Sequence, residues 1–243
     1  MNIRLDLQYD GTNYHGWQTQ PNAITVQSVI TRAIATLTAE RINLIGCGRT
    51  DAKVHAINYT ANFETNTTIP ISQLPYAINS HLPNDIVIKR ATLVDDNFRA
   101  NQSAKKKTYV YRVLNSEFPD AFLTNYTWHY KYDLDIGKMK TAAREFLGEH
   151  DFVGFASAGF SVKTTVRTIY SLDISKNDDI IEFEICGNGF LYNMVRIITG
   201  TLVNMGNGRL DYTKAGEIIA SCDRERAGIT APPQGLFLKE VFY

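Results

Sequence analysis

Gly48-Arg49-Thr50-Asp51-Ala52-Lys53-Val54-His55-Ala56 sets one acid, Asp51, and the fixed cation Arg49 beside the small residues Gly48 and Ala52 in a tight connection that opens onto a strand. The strand is legible over residues 54–64, where Ile57, Tyr59, Ala61 and Phe63 alternate with Asn58, Thr60, Asn62 and Glu64. A carboxylate on such a loop, held by backbone and Arg contacts, stays accessible to a ligand. The same residue type also closes turns by hydrogen-bonding its own backbone. Residue type alone leaves both readings open.

Outward from this loop, strands and helices alternate. A strand over 3–9 leads, through a loop with Gly11, Gly16 and Pro21, to a helix capped by Thr25. Its apolar face carries Val26, Val29, Ile30, Ala33, Ile34 and Leu37. A short strand is expected around Leu44-Ile45-Gly46, a helix over 71–81 after Pro70, and strands near 86–94 and 107–115. Beyond them come a helix at 135–147, strands at 167–175 and 180–186, helices at 190–205 and 211–221, and a last strand at 236–242. Runs of strands mixed with crossing helices predict an α+β fold with mainly antiparallel sheet. The domain boundary is placed before the run Lys105-Lys106-Lys107, giving residues 1–104 with the Asp51 loop and residues 105–243.

With 243 residues, 44% of them hydrophobic, the chain can bury one large core or two ordinary ones. No apolar run approaches the roughly 18–20 residues that span a bilayer. Met1-Asn2-Ile3-Arg4-Leu5-Asp6 reads as a strand and lacks the apolar core of a signal peptide, so a cytoplasmic protein without membrane contact is expected. Cys47, Cys186 and Cys222 show no Cys-x-x-Cys or Cys/His spacing, which fits a reducing compartment and argues against a disulfide framework or structural zinc. The five His residues are scattered, and no metal is expected.

Charge balance gives no lead: 25 Lys and Arg face 25 Asp and Glu, whereas nucleic-acid binders are commonly basic. Distribution says more. Residues 101–170 carry 10 basic against 7 acidic side chains, and residues 171–243 carry 7 against 10. Lys105, Lys106 and Lys107, with Arg112 on the same strand, form either a phosphate track or a solvated charge run.

The opening stretch resembles the Gly-Arg-Thr-Asp-Ala-Gly-Val-His-Ala signature of the tRNA pseudouridine synthase A family, matching eight of its nine positions, with Lys53 in place of Gly. Four further elements carry the same resemblance in order. They are Tyr9-Asp10-Gly11…Gly16-Trp17-Gln18, Lys107-Thr108-Tyr109-Val110-Tyr111, Gly189-Phe190-Leu191…Met194-Val195-Arg196 and Ala231-Pro232-Pro233…Gly235-Leu236-Phe237-Leu238. The resemblance implies two α/β domains whose sheets join into one extended sheet, with an RNA cleft between them. It also implies a homodimer acting on uridines of the tRNA anticodon stem-loop, at roughly positions 38–40, recognised by shape and backbone. In that reaction the base leaves C1′, rotates and rejoins through C5. No redox change occurs, and no cofactor is implied.

The family's site residues map onto this chain one by one. Asp51 corresponds to the catalytic carboxylate, as nucleophile at the anomeric carbon or as base towards the sugar; both remain open. Arg196 corresponds to the family's Arg and is the candidate partner that keeps this carboxylate ionised where burial favours the neutral acid. Arg49 matches the Arg that displaces the target base, with a phosphate contact as the other reading. Tyr109 matches the Tyr that packs on the uracil, whereas Tyr111 reads as core. Leu238 is either an apolar wall of the same pocket or a plain core residue. Trp17 reads as core and His55 as a structural His.

Two departures stand out. Gly at the position of Lys53 implies a positive φ or a close approach of RNA; the expectation is that Lys53 is tolerated, with an added phosphate contact as the other reading. Phe98-Arg99-Ala100-Asn101 stands where the family often shows Phe-His-Ala-Arg, so the basic residue has moved. The principal alternative is an RNA-binding module that keeps the fold without the activity. A metal-dependent nuclease is discounted, because Asp10, Asp51, Asp95 and Asp96 lack ligand spacing.

Overall fold

Ile3, Leu5, Leu7 and Tyr9 alternate along strand β1 (Asn2–Tyr9) and are all buried, so one face of this strand is core throughout. The computed structural model describes residues 1–159 and 162–243. After β1 come α1 (Val26–Thr38), β2 (Ile45–Gly46), β3 (His55–Glu64), α2 (Leu74–Asn79) and β4 (Ile86–Val94). β1 pairs antiparallel with β3 on one side and β4 on the other, and β2 pairs with β3. Tyr59, Ala61 and Phe63 of β3 join Ile86 and Ile88 of β4 in the same core, covered by Val26, Ile30, Ala33 and Ile34 of α1 and by Leu74 and Ile78 of α2. Thr25 caps α1 as expected: its hydroxyl accepts from the Ser28 N–H, and Ser28 reaches back to the Thr25 N–H.

Ile57 departs from the expected alternation: it is exposed beside exposed Asn58. Leu7 pairs with Tyr59 but Tyr9 pairs with Ala56, so Ile57 and Asn58 together oppose the single residue Gln8. This is a β-bulge, which re-aims side chains and is frequent beside active sites. Below it the core face passes to Ala56 and Val54, both buried.

The second half runs through β5 (Lys106–Leu114), β6 (Trp128–His129), α3 (Ile136–Ala143), β7 (Gly148–Asp151), β8 (Val166–Asn177), β9 (Ile180–Gly187), α4 (Met194–Gly206), α5 (Ala215–Ala220) and β10 (Leu236–Phe242). β5, β9, β8 and β7 form an antiparallel sheet in that order, with β6 parallel to β5. α3 lies on α4 and β8, and α4 on β5. The fold is therefore α+β with mainly antiparallel pairing. Among the described residues no helix is long and apolar enough to cross a membrane.

Two compact units emerge: residues 1–105 with 237–243, and residues 106–236. Placing everything after 104 in the second half thus needs correction at its end. Phe237 and Leu238 of β10 pair in parallel with His55 and Ala56 of β3, a long-range pairing that no local pattern signals. Other differences are local. The helix expected over 190–205 starts at Met194, because Asn193 stands in the left-handed region (φ 63°) and cannot continue a helix. A 3₁₀ turn over Ile71–Gln73 precedes α2, and others follow α3 and precede α5. The short strands β6 and β7 carry no readable alternation.

Candidate active site

The Asp51 loop is braced from several sides within the first unit. Its turn is closed by the Val54 N–H donating to the Asp51 carbonyl at 3.2 Å. The Trp17 N–H donates to the Thr50 carbonyl at 3.1 Å and the Lys53 N–H to the Tyr14 carbonyl at 3.2 Å. Tyr9 Oη and Thr50 Oγ1 lie 2.8 Å apart in a buried hydrogen bond, and the Tyr59 hydroxyl donates to the Gly48 carbonyl. Beneath the loop, Trp17 stacks on Tyr59 with ring centroids 4.0 Å apart, so Trp17 is core, as its sequence context suggested. Two glycines let the segment from Gly11 to Trp17 lie directly on the backbone of the Asp51 loop. A Cβ at Gly16 (φ +84°) would lie 2.4 Å from the Thr50 carbonyl oxygen, and one at Gly11 would lie 2.0 Å from that of Val54.

Asp51 itself is half-buried and Arg49 is exposed. Next to them, His55 is buried; its Nδ1 accepts from the Gly11 N–H at 3.0 Å and lies 3.1 Å from Asp10 Oδ1, while its ring stacks on Phe237 at 4.6 Å. Leu238 is buried, paired with Ala56 at the foot of the same strand. The first unit therefore brings Asp51, Arg49 and Leu238 to the entry of β3. Lys105 is exposed at that unit's edge, its N–H donating to the Phe242 carbonyl at 2.8 Å.

Lys53 has φ +67°, the left-handed region where glycine is at ease and a side chain costs about 1–2 kcal/mol. Positive φ, one of the two meanings of the family's Gly, thus holds here. Lys53→Gly should raise stability by about 0.5–1 kcal/mol, since relief of strain is partly offset by a more flexible unfolded chain. The melting temperature should rise by roughly 2 °C, and a fall on a calorimetric scan would contradict this.

In the second unit, Tyr109 and Tyr111 lie on one face of β5, opposite Ile185 and Phe183. Tyr109 is half-buried with its ring edge-on to Phe190, centroids 5.2 Å apart. Tyr111 is fully buried, donating to the Pro232 carbonyl at 2.7 Å. Burial pushes its hydroxyl well above the ordinary phenol range, against the opposing pull of the Arg196 charge. Arg196, half-buried on the otherwise buried α4, donates from Nε to the Ala231 carbonyl at 2.7 Å and from a terminal nitrogen to Asn193 Oδ1 at 2.6 Å. Asn193 in turn donates to Ser157 Oγ at 2.8 Å.

The basic run is less of a stripe than its sequence suggests. Lys106 and Lys107 begin β5, so their side chains leave on opposite faces, and Arg112 is paired with Glu182 at 2.8 Å. Supporting residues add to the site. Tyr9, Tyr14 and Tyr59 brace the loop through contacts distant in sequence. Tyr9, Tyr14, Thr50, Phe190 and Asn193 lie inside stretches that carry the resemblance, whereas Tyr59 reads only as a strand residue.

A family model described as tRNA pseudouridine synthase matches residues 7–103 and 142–243. Proteins named tRNA pseudouridine synthase A from Thermoanaerobacter sp. (strain X514) and Acetivibrio thermocellus are each 52% identical over 242 residues, covering 100% of this chain and 99% of each relative. One of the same name from Ruminiclostridium cellulolyticum is 48% identical over 242 residues. The chain belongs to the tRNA pseudouridine synthase A family.

Proposed function

We propose that this protein isomerises uridine to pseudouridine in tRNA, with Asp51 as the catalytic carboxylate. The observation that carries this reading is the Asp51 turn: a half-buried carboxylate on a loop held by Tyr9, Tyr14, Trp17 and Tyr59, in a chain 52% identical to named synthases over its whole length. A carboxylate fixed in direction and partly shielded from water can attack the sugar or take a proton from it, and either role starts the detachment of the base. Arg49, exposed on the same turn, is assigned to the space the extruded base vacates. Tyr109, Arg196 and Leu238 are assigned to substrate binding, and Lys105, Lys106 and Lys107 to the RNA backbone.

The reading extends to uridines of the anticodon stem-loop, at roughly positions 38–40. It also extends to a cytoplasmic homodimer; a monomer by light scattering at micromolar concentration would remove that part. The reaction converts a C5–H bond into the new glycosidic C–C bond. With tRNA tritiated at uridine C5, tritium should therefore appear in water, in excess over the protein. Tight tRNA binding with no release would favour the binding-module reading instead. Tyr109→Ala should lower kcat/KM by roughly 10–100-fold, the worth of one stacked base, and an unchanged value would return Tyr109 to a purely structural role.

A further inference from the structure

We propose that Lys53 is a phosphate-binding residue of this chain, its ammonium taking a tRNA backbone phosphate beside the uridine held at Asp51. This rests on the function proposed above and adds a contact that the Gly of the family signature cannot make.

Residue 53 is a strained position. The left-handed conformation at residue 53 is imposed by its surroundings. The Lys53 N–H is tied to the Tyr14 carbonyl, the Val54 N–H to that of Asp51, and the Val54 carbonyl lies against Gly11. The loop therefore demands positive φ whatever residue stands there, and Lys meets that demand at a cost Gly would not incur. Nothing among the described residues offsets the cost: the Lys53 side chain is exposed and makes no hydrogen bond or ion pair with them. A strained position without compensation inside the fold directs attention to what the side chain meets outside it.

Charge and position indicate what that is. Arg49 and Lys53 flank Asp51, two residues before it and two after, and both are exposed. The turn is thus locally cationic although the chain carries no net charge. In a neutral protein, attraction for a polyanion has to come from such local arrangements. An ammonium on a flexible stem suits a phosphate, whose position is set by the strand's shape and not by its sequence. A solvated lysine without this role would have no effect on how RNA affinity depends on salt.

That difference is the test. Affinity for a tRNA should be measured at several salt concentrations for the natural protein, Lys53→Gln and Lys53→Gly. Lys53→Gln keeps the strain and removes the charge, and Lys53→Gly removes both. The slope of log affinity against log salt should become shallower by about 0.7–0.9 in both variants, the loss of one phosphate contact. Affinity near physiological salt should fall on the order of tenfold. Lys53→Arg should restore most of it. Slopes unchanged in Lys53→Gln and Lys53→Gly would overturn the assignment. Tritium release by the natural protein, measured alongside, reports the function separately: slopes unchanged with release intact remove only Lys53, whereas absent release removes the proposed activity.

Discussion

Asp51→Asn is expected to lower pseudouridine formation by roughly a thousandfold or more, with the protein still folded and still binding tRNA. The amide has nearly the shape of the carboxylate, and the turn's own hydrogen bonds run through backbone groups of Thr50, Asp51, Lys53 and Val54. The substitution therefore leaves these backbone bonds in place. What it removes is the negative charge, which both open mechanisms require: an amide is neither a competent nucleophile at C1′ nor a base. The effect should lie in the rate at saturating tRNA and not in affinity. A residual rate within tenfold of the natural protein, with unfolding unchanged, would take the chemistry away from Asp51.

Gly16→Ala should have the second largest effect, on stability and rate together. Alanine at φ +84° costs about 1–2 kcal/mol, and a Cβ placed 2.4 Å from the Thr50 carbonyl oxygen forces a backbone shift worth about 1–3 more. Reduced freedom of the unfolded chain returns about 0.4–1 kcal/mol. The melting temperature should fall by roughly 5–10 °C. Since the atom struck belongs to the residue before Asp51, the carboxylate moves with it, and a displacement near 1 Å costs about a hundredfold in rate. Gly208→Ala separates the two causes: Gly208 has φ +79° with nothing within 4 Å of its would-be Cβ, so it carries the conformational cost alone. Equal destabilisation by the two variants would mean that the loop yields to the methyl group and that Gly16 does not set the position of Asp51.

How far the sequence could be read depended on how local each determinant is. The Thr25 cap reads directly, because its partner Ser28 is three residues away. The positive φ at residue 53 was legible only as a departure, one lysine in a pattern that elsewhere holds glycine. The bulge at Ile57 and Asn58 was not legible, since the alternation in β3 is unbroken on paper and the slip is fixed by register against Gln8 on β1. The return of β10 to the first unit, and the neutralising of Arg112 by Glu182 seventy residues on, are likewise pairings between distant segments. The same holds for the brace of the site: Tyr9, Tyr14 and Tyr59 look like ordinary strand and loop tyrosines until the fold brings them under Asp51.

Mapping pseudouridine, site by site, in a tRNA with uridines in its anticodon stem-loop tests the activity and the role of Asp51 together. The RNA would be incubated with the natural protein or with Asp51→Asn. With Asp51 as the catalytic carboxylate, pseudouridine should form at stem-loop uridines with the natural protein and none above background with the variant. Equal modification by both, or none by either despite tight binding, would contradict it.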